Sequence, residues 1–226
     1  MSGFSSGVIG TVDGSFDRID SWESSEKVDG KTVSRCVEIQ ETDTTSFENS
    51  TLQKGRAAAQ RISTRQIMDI SDGSIKSQEE EFVDTAYTEF ISLSNEFIAV
   101  ESSSGKFAFD LLASNLPVRI DGAEFDLEGY LEDHPDSSPW QVSFYGHTGE
   151  AEKGTVYGSR IFDDSDMGSV VENCPKSQIG LVVERDDYEI KFSLTEQGYV
   201  TIYQPSNYDK IEFAKFVKED LLPYIK

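Results

Sequence analysis

In the second half of the chain, hydrophobic and polar residues alternate in short bursts. Ile179 to Glu184, Tyr188 to Leu194 and Tyr199 to Tyr203 place apolar residues at every second position, the period of a half-buried strand. Turns at Asp186-Asp187 and Gln197-Gly198 would fold them into a meander. PWQVSFYG and GTVYGSRIF read as two further strands around the polar connection His147 to Lys153.

The first half shows the same period less cleanly. Val33, Cys36 or Val37, and Ile39 alternate loosely with polar residues, and TRQIMDI, a turn at Asp72-Gly73 and IKSQEEEFVDTAYTEFISL follow as strands. EFIAVES adds another. Helical spacing marks three other segments. Phe107, Leu111 and Leu112 share one face before Pro117; Phe125, Leu127, Tyr130 and Leu131 form a short helix stopped at Pro135; Asp209 to Ile225 is an amphipathic terminal helix. Thr51 to Gln66 is expected to be helical at its centre, because Arg56-Ala57-Ala58-Ala59-Gln60-Arg61 contains strong helix formers.

Strand hairpin, strand and helix recur in the same order. Glu96 to Val100 followed by a helix ending at Leu116-Pro117 matches Gly198 to Ile202 followed by a helix reaching Leu222-Pro223. The expected fold is α+β: two related antiparallel sheets, side by side, each closed by a C-terminal helix on one common side, as in an internal duplication. The expected divisions are a mobile Ser/Gly-rich lead at residues 1–15, a first half at 16–116 and a second at 117–226. Saddle and half-clamp proteins that hold DNA have an architecture of this kind, which is a fold-level analogy only.

Charge changes the picture more than composition does. The 226 residues hold 42 acidic and 20 basic side chains, a formal charge of −22, spread through every segment but one. Hydrophobic content of 37% with 11% aromatics is too high for a disordered chain. Dispersed acidity is the signature of a protein adapted to molar salt, as in halophilic archaea or their viruses, where the Debye length is about 3 Å. The competing reading is an acidic inhibitor that mimics DNA, which needs an organised stripe of carboxylates. Cys36 and Cys174 stand far apart and outside any CxxC, and no basic leader or long apolar run is present, so a reducing cytoplasm and no membrane span are expected.

The exceptional segment is Asn49 to Met68, twenty residues with Lys54, Arg56, Arg61 and Arg65 and no carboxylate. These four cations are the candidate nucleic-acid contacts, with Ser63 and Thr64 as further donors and exposed Tyr87, Tyr199 or Tyr203 for stacking. The plain alternative is that they clasp carboxylates of the protein's own surface. Catalysis has one candidate, a divalent-metal hydrolase centre built from Glu128, Glu132 and His134, against the plain reading of a solvated acidic helix. DDSDMG lacks the later ligands of a calcium loop, and GxxxxGK[ST], GxGxxG and a nucleophile elbow are all missing, so no cofactor is expected. The residues point to a non-catalytic binding protein whose partner is nucleic acid or a nucleic-acid-processing protein.

Overall fold

The computed structural model describes residues 4–146, 152–185 and 188–226. Twelve strands form one continuous antiparallel sheet. In chain order they are β1 (Ser6–Gly14), β2 (Trp22–Val28), β3 (Lys31–Asp43), β4 (Leu52–Ser71), β5 (Ser74–Leu93), β6 (Phe97–Val100), β7 (Val118–Gly122), β8 (Ser138–Tyr145), β9 (Lys153–Tyr157), β10 (Lys176–Arg185), β11 (Tyr188–Thr195) and β12 (Tyr199–Gln204). Four short helices accompany them: α1 (Phe107–Ala113), α2 (Leu127–Asp133), α3 (Gly168–Asn173) and α4 (Lys210–Phe216). Across the sheet the order is β2-β3-β4-β5-β6-β1-β12-β11-β10-β8-β9, with β7 also on β1.

This corrects the expected α+β fold of two helix-closed halves. Strand accounts for 54% of the chain and helix for 18%, and the strands belong to a single sheet. The helices also do not share a side. On β6, Phe97 and Ala99 point into the core beneath Phe213, Ala214 and Phe216 of α4, while Ile98 and Val100 point into the core beneath Ala108, Phe109 and Leu112 of α1. Neighbouring residues of a strand face opposite ways, so α1 and α4 cover opposite faces of the sheet. We call these the α1 face and the α4 face. Among the described residues, α1 covers strands on the β4 side of β1, whereas α2 and α4 cover β10 to β12 from behind; α3 closes a smaller core over β8.

The Ser/Gly-rich lead supplies the central strand. One edge of β1 pairs with β6 over Val8 to Thr11; the other pairs with β12 over Ser6 to Val8 and with β7 from Gly10 onward. Glycine is needed there for closeness: a Cβ on Gly10 would stand 2.8 Å from the Phe109 ring and 2.9 Å from Ile120 Cγ2.

The expected helix within Thr51 to Gln66 is a strand. β4 pairs with β5 at twenty successive positions, from Leu52 opposite Leu93 to Ser71 opposite Ser74. Helix propensity separates ordinary residues by only about 0.7 kcal/mol each, and a ladder of this length outweighs an alanine triplet. Those alanines have a packing role instead: Ala57 is fully buried in the core that α1 closes. The hairpin turns on Asp72 and Gly73, both at positive φ (53° and 73°), the primed geometry that suits strand twist. The expected turn at Asp186-Asp187 lies outside the described residues.

Adding a methyl at the centre tests this packing. Gly10→Ala should lower stability by about 2 kcal/mol, through overpacking against Phe109 and Ile120, read as a shifted urea midpoint at constant salt.

Candidate functional site

The cations of Asn49 to Met68 all lie on β4, and β5 answers each of them. Arg56 stands opposite Glu89 (3.6 Å), Arg61 opposite Asp84 (3.0 Å) and Arg65 opposite Glu80 (2.6 Å), while Lys54 reaches Glu89 diagonally at 2.8 Å. The Arg65 guanidinium also lies 5.2 Å from the centre of the Phe82 ring. Lys54 and Arg56 hold the Glu89 carboxyl below the usual range; the Lys54 hydrogen bond contributes most, against the desolvation that raises it. The signal was in the sequence: these acids mirror the cations about the Asp72-Gly73 turn. A phosphate approaching any of the four must therefore displace a carboxylate that already occupies the cation.

The second candidate set is not assembled. Glu128, in the first turn of α2, lies 3.4 Å from the buried Lys176 ammonium. His134, just past α2, donates from Nδ1 to the Tyr130 carbonyl (2.8 Å) and stacks on the Tyr130 ring at 4.1 Å. Burial pushes the Tyr130 hydroxyl well above its ordinary pKa. A cleft of about 480 Å3 brings His134 beside Asp133, Asp136, Glu184 and Glu189, with neither Glu128 nor Glu132 in its wall. Among the described residues no three potential ligands come close enough to share a metal ion.

A different surface carries the chemistry that the chain otherwise lacks. No helix covers the α1 face of β8 to β12 among the described residues. Register places Tyr199 and Thr201 of β12 beside Thr195 and Ser193 of β11, then Gln178 and Gly180 of β10, Ser143 and Gln141 of β8, and Thr155 and Tyr157 of β9. Lys191 and Lys153 stand on the same face. Among the described residues of these strands, Asp and Glu are missing from this face until Glu184 and Glu189 at one end; at the other, Tyr145 of the same face donates to Glu196 at 3.4 Å.

A bulge in β8 turns Trp140 onto this face, over Gly180. Tyr203 meets the indole edge to face at 5.5 Å, and the Lys191 ammonium lies 4.6 Å from its centre. The indole N–H finds no acceptor among the described residues. Tyr157 and Tyr203 are 67% and 47% exposed, leaving their rings open for stacking. Beside Tyr199 and Thr195 the face runs into a cleft of about 510 Å3, walled by Ser102, Ser103 and Lys106 before α1 and by Glu196, which pairs with Lys226 at 3.0 Å. Lys106, Lys153 and Lys191 form no ion pair among the described residues, unlike every cation singled out on β4.

Sequence reasoning missed this surface because its residues alternate with core residues on five strands, so no contiguous window shows it. Tyr199 and Tyr203 were its only legible members. No family model, curated protein or solved structure matches the chain.

The β4 ion pairs differ in worth. Lys54 and Glu89 keep only 12% and 18% of their side-chain surface, so Glu89→Gln should cost about 2 kcal/mol in thermal or urea unfolding, the scale of a lost charged hydrogen bond. Arg61 is 70% exposed, and Arg61→Gln should cost less than about 1 kcal/mol. Because the folded Glu89 value is depressed, its contribution is complete above the unfolded carboxylate value of 4.5 and fades as pH falls through the folded one. The stability gap between wild type and Glu89→Gln should accordingly narrow in acid.

Proposed function

We propose that this is a non-catalytic binding protein of a salty, reducing cytoplasm that holds single-stranded nucleic acid on the α1 face of β8 to β12. One observation supports the reading: in a chain of charge −22, this sheet face combines exposed tyrosines with lysines that form no ion pair among the described residues, and its central described positions carry no acid.

The chemistry follows from the side chains. Tyr157 and Tyr203 offer flat surfaces on which bases can stack, an interaction worth about 1 to 3 kcal/mol per base and tolerant of sequence. Lys191, Lys153 and Lys106 stand where phosphates would pass, and Gln141, Gln178, Ser193 and Thr195 provide hydrogen-bonding groups between them. A duplex keeps its bases stacked on one another, so a face of this kind suits a single strand. Five strands spaced about 4.8 Å apart give a track about 19 Å wide. Stacking loses little in salt, whereas phosphate attraction falls steeply, so aromatic contacts would dominate at high ionic strength.

Lys54, Arg56, Arg61 and Arg65 hold second place in this proposal. Each would have to exchange a carboxylate of β5 for a phosphate.

Fluorescence anisotropy of labelled single-stranded and duplex oligonucleotides, titrated from low to molar KCl, tests the proposal. Single strands should bind, and Tyr157→Ala or Tyr203→Ala should each weaken binding about tenfold at high salt. Replacing Arg56, Arg61 and Arg65 together with Glu should change affinity much less. A folded protein that binds no single strand at any salt, or tyrosine variants that bind like wild type, would overturn it.

A further inference from the structure

The β4–β5 hairpin outruns the sheet that supports it. β3 pairs with β4 no farther than Ala59, and β6 pairs with β5 no farther than Phe90. Gln60 to Ser71 and Ser74 to Thr85 therefore continue as a two-stranded ribbon, about 40 Å long at about 3.4 Å per residue. Among the described residues no helix packs on it. Two strands alone are marginally stable in water; a third strand or a packed face normally supports them.

The ribbon's two faces differ. On the α1 face the cross-strand positions are Arg61 with Asp84, Ser63 with Phe82, Arg65 with Glu80, Ile67 with Gln78 and Asp69 with Lys76, so three pairs of opposite charge meet across the strands. On the α4 face the pairs are Ala58 with Tyr87 at the ribbon's root, then Gln60 with Thr85, Ile62 with Val83, Thr64 with Glu81, Gln66 with Glu79, Met68 with Ser77 and Ile70 with Ile75. Ile70, Ile75 and Met68 are 77%, 74% and 60% exposed, a concentration of apolar surface out of keeping with so charged a chain.

We propose that the α4 face of the ribbon packs against the same face of a second copy, antiparallel, about a two-fold axis near Thr64 and Glu81. The order of the pairs argues for this occupant. Apolar pairs stand at the root (Ala58 with Tyr87) and at the tip (Ile70 with Ile75), with mostly polar pairs and the apolar Ile62 with Val83 between them, so antiparallel pairing lays Ile70 and Ile75 of one copy on Ala58 and Tyr87 of the other. A two-fold interface uses the same patch twice, and a patch with matching ends meets that condition. At the middle, Glu81 is already paired with Lys31 at 3.2 Å. Glu79 stands on β5, one of the ribbon's two edges, where its carboxylate can stay at the wet rim.

The contact measures about 40 Å by about 10 Å on each copy, about 800 Å2 in total, below the range of stable specific interfaces, which suits only a weak dimer that exchanges readily with monomer. Two bodies of charge −22 repel until salt screens them, so salt promotes this association. The inference is independent of the proposed nucleic-acid site, which occupies the other face of the sheet.

Sedimentation equilibrium over a range of protein and KCl concentrations tests it, with circular dichroism to confirm folding. The wild-type mass should move from 25.2 kDa towards twice that value as KCl rises. Ile70→Glu/Ile75→Glu alters only exposed tip residues and should weaken the dimer at least about tenfold. Gln78→Glu, on the ribbon's opposite face, should leave it unchanged. A wild type that stays monomeric at every salt and concentration overturns the proposal, as does a tip variant that dimerises like wild type.

Discussion

The fold depends on a strand with no free side. β1 is hydrogen-bonded on one edge to β6 and on the other to β12 and β7, and its side chains enter cores on both faces: Val8 beneath α1, Ile9 beneath α4. With helices on opposite faces either side of this strand, the covering is diagonal. Beyond this doubly covered centre, β8 to β12 are closed by helices on the α4 face alone and the β4–β5 ribbon on neither face, among the described residues. Both surfaces with unusual chemistry, the aromatic face of β8 to β12 and the apolar face of the β4–β5 ribbon, are these open faces.

Charge is distributed to match. The chain does not simply repel itself, because many of its 20 cations are committed locally. Arg185 joins β10 to Glu219 and Asp220 beyond α4, Lys210 at the start of α4 pairs with Glu41 of β3, and Lys176 sits buried beside Glu128. On the ribbon, pairing is directly cross-strand and orders a hairpin that has little core. Exposed pairs contribute little singly, and the benefit here is register: a one-residue slip would move every arginine to the face away from its acid. On the open face of β8 to β12, Lys153 and Lys191 form no ion pair among the described residues, and the described acids of these strands, Glu184 and Glu189, stand at one end.

Several elements were legible in the chain because their signals are local, whereas their arrangement into one sheet was not. The alternation of Ile190, Phe192 and Leu194, the apolar spacing around Phe109 and Leu112, and the Asp72-Gly73 turn each specify an element without reference to the rest. Legibility failed where the deciding contact is distant. Ala57 to Ala59 read as helix because nothing nearby shows that Val37 to Arg35 and Thr88 to Ala86 will flank them as strands. The glycines of the lead read as slack because the Phe109 ring that requires Gly10 to be small lies about a hundred residues away. The cations were found and their partners were not, although a reflection about the predicted turn pairs them. The aromatic face was hidden for a geometric reason: a strand shows one face at every second residue, so a surface spread over five strands never forms a run.

The two open faces also share a dependence on solvent. Screening removes the long-range attraction that steers a charged ligand, and with it the advantage of a purely basic surface. What survives is contact chemistry: ring on base, and methyl on methyl. A chain of charge −22 approaches any polyanion, or its own copy, against repulsion when salt is low, and that repulsion shortens to about a side chain's length when salt is high. The aromatic face and the apolar ribbon are therefore suited to the same condition. If these faces bind as proposed, interactions that ordinary proteins reinforce with net charge are carried by shape and apolar area, with lysines acting only at contact distance.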